Sequence, residues 1–133
     1  MTRKQWIWLI GVGIIYAVIG VGFGEIAKHV PANQGRAWRL GAWVASALVY
    51  AMHVGYEQFR LKQRSLDVAL HIAIAVGVGG FLLAVSAFVH ALTVGSTAPL
   101  RLYGIALFAW PLFTAVPAFI VALIASLVSN RIK

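Results

Sequence analysis

The chain has 133 residues, 62% of them hydrophobic and 11% charged, with a formal net charge of +8 and no cysteine; its mean hydropathy is +0.90. Such a composition lies far from that of a soluble domain, and it excludes disulfides, thiolate metal sites and cysteine nucleophiles. The 11 Lys and Arg residues are scattered over both tails and every loop rather than gathered in one polar domain, so lipid headgroups and not nucleic acid are the expected partner of that charge.

A bilayer core of ~30 Å needs ~20 apolar residues per helix. Charge-free runs at residues 5–24, 40–56, 68–100 and 102–130 meet or approach that length. They predict an all-α integral membrane protein, a four-transmembrane-helix antiparallel bundle with short loops. The expected helices lie at about 5–25, 38–60, 66–93 and 99–129, in a single domain over residues 1–133. With four spans, seven basic side chains fall on the side of the termini and the second loop, and four on the other. The positive-inside rule then puts both termini in the cytoplasm, and the expected location is the inner (plasma) membrane of a prokaryote.

The first apolar run is too long for a cleavable signal and should remain as a helix. Trp6 and Trp8 are placed for an interfacial aromatic belt, and Gly13, Ala17, Gly20 and Gly24 form a small-residue seam for close helix packing. Glu25, beside Lys28 and His29, reads as an interfacial residue. Pro31, Asn33 and Gly35 predict an outer loop over residues 25–37. In the second helix Trp43, Ser46, Tyr50, His53, Glu57, Arg60 and Arg64 recur every three or four residues and share one face, which should point into protein.

Residues 60–66 predict a short basic turn. Arg60, Lys62 and Arg64 suit the C-terminal end of the second helix dipole, and Asp67 suits the N-terminal end of the third. Ala69, Ala73, Gly77, Gly80, Ala84, Ala87 and Ala91 make a continuous seam on the third helix that predicts one very close neighbour. Ser86, His90 and Thr93 fall away from it, with His90 at the outer end. Residues 96–99 predict a tight turn. In the fourth helix Pro111 and Pro117 predict kinks, with Thr114 helping to satisfy the carbonyls of Leu107 and Phe113, and Ala118, Ala122, Ala125 and Ser129 give a last small face.

Chemistry concentrates around the second loop, where His53 and Glu57, and Asp67 and His71, are mirror-image pairs about Lys62. His53 and His71 at matched depth are candidate axial ligands for haem b. The set His53, Glu57, Asp67 and His71 is the candidate site for a transition metal such as iron or zinc. The alternative is a structural role, with neutral histidines hydrogen-bonding Tyr50, Ser46 or backbone. The stripe Ser46, Tyr50, His53 and Glu57 also reads as a proton or substrate path, although all three acids lie at helix ends and none in mid-span. No Ser/His/Asp constellation gathers at one depth, which argues against an enzyme. The functional expectation is a non-enzymatic binding, transport or accessory-subunit module, a homo-oligomer or part of a larger membrane complex. A redox or metal-carrying membrane subunit is the alternative.

Overall fold

The computed structural model describes residues 1–95 and 98–131. These form four long helices, α1 (Arg3–Lys28), α2 (Ala32–Gly55), α3 (Ser65–Val94) and α4 (Leu100–Arg131), with no strand among the described residues. A single π-turn, Tyr56–Arg60, prolongs α2. Three of the helices, α1, α3 and α4, are long and apolar enough to cross a membrane; α2 does not reach that standard, so a fourth span is not shown by length and composition.

The helix ends follow local chemistry. Thr2 and Gln5 form a reciprocal capping box at the start of α1, the Gln5 amide donating to Thr2 Oγ1 at 3.3 Å and the Thr2 amide to Gln5 Oε1 at 2.6 Å. Gly95, at φ 69°, closes α3 in the left-handed conformation that glycine adopts without steric cost. The chain reverses between α2 and α3 at Lys62, whose φ of 51° is unusual for a residue with a Cβ. The expected outer loop over residues 25–37 is far shorter than predicted. Pro31 precedes a helix that already begins at Ala32, so Asn33 and Gly35 are helical. Gly35 is required there by packing, since a Cβ would lie 2.9 Å from the Ala27 carbonyl oxygen of α1. The turn predicted at residues 96–99 falls partly outside the described residues, at Ser96 and Thr97.

Helix α3 is the centre of the fold, packing most extensively on α4 and next on α1, while α2 leans chiefly on α1 and meets α3 sparingly. The predicted single close neighbour of α3 is therefore two. A methyl at Gly80 would come 2.5 Å from Thr114 Oγ1 and 3.3 Å from Pro111 Cα on α4, and one at Gly79 would come 2.7 Å from Tyr16 Cβ on α1. Gly13 and Gly20 of α1 are filled in turn by Val78 and Leu83. Small residues are used here as they are in membranes generally, to let backbones approach. Ala87, placed in the predicted seam, is exposed.

Helix α4 runs unbroken through Pro111 and Pro117. Thr114 Oγ1 is 3.0 Å from the Trp110 and Pro111 carbonyls, rather than from those of Leu107 and Phe113. Its buried small face is Ala118, Ala122 and Ser126; Ala125 is exposed. Two apolar clusters lie toward the end that carries the second loop. One joins Val54, Val68, Ala69, Ile72, Ala118 and Ala122, the other Leu9, Val12 and Ala75. Most remaining large side chains point outward, among them Trp43 at 78% and Phe113 at 76% exposure, as expected of a surface solvated by lipid.

Candidate functional site

At the end of the bundle where the second loop lies, all four helices converge. The stripe on α2 becomes steadily more buried toward that end: Trp43 is exposed, Ser46 and Tyr50 are half-buried, and His53 and Glu57 are 3% and 2% exposed. The Tyr50 hydroxyl donates to the Ala118 carbonyl of α4 at 2.6 Å and ties the two helices together.

The π-turn then aims two consecutive side chains inward, Glu57 and Gln58, both buried. Its backbone signature is the Leu61 amide donating to the Tyr56 carbonyl at 3.2 Å, five residues back. Glu57 reaches His71 of α3, whose Nδ1 donates to Glu57 Oε2 at 2.9 Å. The other carboxylate oxygen, Oε1, faces His53 Nε2 at 3.7 Å, beyond hydrogen-bonding distance. Both ring nitrogens of His53 lack a hydrogen-bond partner. Trp8 of α1 closes that side, its ring 6.2 Å from His53 at an interplanar angle of 83° and 5.2 Å from Tyr56. The Trp8 belt position predicted from sequence is thus also a wall of the site.

Gln58 faces α4, where its Nε2 donates to the Ser126 carbonyl at 3.1 Å and to Asn130 Oδ1 at 3.4 Å. Asn130 Nδ2 donates in turn to Ser65 Oγ at 2.9 Å at the start of α3. Sequence periodicity gave no reason to include Gln58, Ser65, Ser126 or Asn130; a polar residue at each of two adjacent positions near a helix end was the available signal.

Three of the four residues predicted as a metal set are brought together, and one is not. His53, Glu57 and His71 form a buried row, whereas Asp67 is only half-buried in the first turn of α3 and takes part in no ion pair among the described residues. No group of three or more His, Asp or Glu among the described residues is placed to hold a metal ion. The reason is visible in the row: the carboxylate turns its two oxygens to different rings, and His71 Nδ1 is engaged by one of them. An axial haem pair fits no better, because the Glu57 carboxylate occupies the space between the two imidazoles that a porphyrin would need. The predicted basic residues Arg60 and Arg64 are exposed and outside this arrangement.

What the row offers is a buried carboxylate set against two imidazoles, one hydrogen-bonded to it at 2.9 Å and the other, His53, with both ring nitrogens uncommitted and the nearer one 3.7 Å away. Buried ionisable groups are costly in an apolar molecule, and they mark functional sites by default. No protein-family model, curated protein or solved structure matches this chain, so the chemistry of the site stands on its own geometry.

Proposed function

We propose that the chain is an integral membrane protein in which α2 is a fourth span, and that it acts as a non-enzymatic binding or transport module with the His53–Glu57–His71 row as its proton-accepting element. The residues that lower the apolarity of α2 support its insertion. Asn33, Gln34, Arg36 and Arg39 occupy its first turns, at headgroup depth, and Tyr50 and His53 turn inward. With four spans, both termini and the second loop share the more basic, cytoplasmic side. The lipid bilayer is the first partner. The seams of α1 and α3 are filled within the chain at Gly13, Gly20 and Gly80, so self-association falls to the exposed small face of α2 at Ala47 and Ala51.

One observation carries the functional reading: a carboxylate 2% exposed, held between two imidazoles, in a chain with only three acids. Purified protein in liposomes carrying a pH-sensitive dye, with a potassium diffusion potential imposed, should show proton uptake above protein-free vesicles. Glu57→Gln should abolish that uptake without changing helicity. Uptake equal to that of empty vesicles overturns the reading and leaves the row as a structural clasp.

A further inference from the structure

The opposite end of the molecule holds a groove of about 300 Å³ between α1, α3 and α4. Its position follows from the packing. Val68, Ile72, Ala75, Gly79, Leu83 and His90 lie on one stripe of α3, at intervals of three, four or seven residues. Near the second loop that stripe is covered by α1 and α2, through Val54, Leu9 and Val12. Beyond Gly79, α2 leans onto α1 instead, where Phe23 and Trp38 meet at 5.7 Å, and the continuation of the stripe lines the groove.

The groove is graded in polarity. Its inner part is formed by Gly20, Val21 and Leu83, and its rim by Glu25, Lys28, His90 and Tyr103. The rim lies at the end where Trp38, Arg39 and Arg101 mark an interface. Gly24 keeps the groove open: a Cβ there would meet nothing within 4 Å, whereas Gly20 is filled by Leu83.

We infer that this groove seats the headgroup of a zwitterionic phospholipid bearing a primary ammonium, a phosphatidylethanolamine, with its glycerol and upper chains against Val21 and Leu83. The rim carries one charge of each sign, Glu25 and Lys28, now paired to each other at 2.6 Å with both side chains about half exposed. Such an exposed pair is worth little, so exchanging it costs little. The headgroup ammonium donates to Glu25, and its phosphate accepts from Lys28. A phosphatidylcholine has no N–H to donate, and a phosphatidylglycerol has no cation for Glu25. The zwitterion with a primary amine alone satisfies both. This site is independent of the proton row.

Native mass spectrometry of the full chain from mixed micelles with equal phosphatidylethanolamine, phosphatidylcholine and phosphatidylglycerol tests it. The first lipid should be retained about fivefold over each of the others, equivalent to ~1 kcal/mol. Glu25→Gln should remove the preference for phosphatidylethanolamine over both other lipids, and Lys28→Gln, which takes away the phosphate's donor, should lower retention of all three. Gly24→Leu, which fills the groove, should lower retention of all three; its helicity and monodispersity are checked alongside, and the two charge variants decide should it misfold. Soluble glycerophosphoethanolamine at the same concentration should not compete, because it lacks the chains. Equal retention of the three lipids by the native chain, or an unchanged preference in both charge variants, overturns the inference.

Discussion

Replacing His71 by leucine should be the most destabilising single change at the buried row, and the size of the effect follows from what it strands. Glu57 is 2% exposed and its nearest donor is His71 Nδ1 at 2.9 Å. With the ring removed, the carboxylate retains only His53 Nε2 at 3.7 Å. A buried charge left without its partner costs ~3–5 kcal/mol. The converse change, Glu57→Leu, strands only an imidazole N–H, at ~1–3 kcal/mol. The double variant removes both polar partners and should lie close to the native stability, because exchanging a buried pair for apolar side chains is often neutral or favourable. The two single losses should therefore fail to add, with a coupling of about 2 kcal/mol or more. Unfolding in mixed micelles of dodecylmaltoside and sodium dodecyl sulfate, followed by far-ultraviolet circular dichroism, measures all four corners of the cycle. Acid should rescue His71→Leu selectively, since protonation neutralises the stranded carboxylate and leaves the double variant unaffected. A His71→Leu loss below ~1 kcal/mol that adds to that of Glu57→Leu would refute the coupled, buried pair.

The glycines should divide by their surroundings. Gly79→Ala, whose Cβ would fall 2.7 Å from Tyr16 Cβ and 3.1 Å from the Gly13 carbonyl oxygen, should cost ~1–3 kcal/mol in the same micellar assay, whereas Gly22→Ala, with nothing within 4 Å, should gain up to ~1 kcal/mol. Because the chain has no cysteine, single cysteines map its topology without background. Gln63→Cys should react from the same side as Arg131→Cys with a membrane-impermeant maleimide, and Ala45→Cys, in the middle of α2, should stay protected from both sides. Ready labelling of Ala45→Cys would remove α2 from the bilayer.

The helical architecture was legible because charge-free length is a coarse and robust signal, and the reversal at Lys62 because the basic residues around it can end neither adjoining helix inside lipid. The loop between α1 and α2 was overestimated since Asn33 and Gly35 read as turn residues. In the structure Gly35 is glycine for the sake of the Ala27 backbone across the interface, a reason that no local pattern expresses. A seam of small residues likewise records that something approaches, without saying from how many sides. On α3 the Gly77 and Gly80 side meets α4, and the Ala75 and Gly79 side meets α1.

The site itself was half legible, and the π-turn explains which half. A 3.6-residue period carries the inward stripe correctly from Ser46 through Tyr50 and His53 to Glu57. Continued as a regular α-helix, it would then bring Arg60 and Arg64 inward. The wider turn at Tyr56–Arg60 breaks that register: Gln58 joins Glu57 in the interior, and Arg60 swings out to solvent. The cations that sequence alone placed beside the carboxylate are thereby withdrawn from it, and amides and imidazoles take their place. Had the α-helix continued, Glu57 would have been one more acid in a basic loop, its charge accounted for by nearby arginines. Turned inward without them, it has only the imidazoles of His71, at 2.9 Å, and His53, at 3.7 Å, beside it. The same local distortion that hid the site from periodic reading is what parts the carboxylate from the arginines and sets it against two imidazoles.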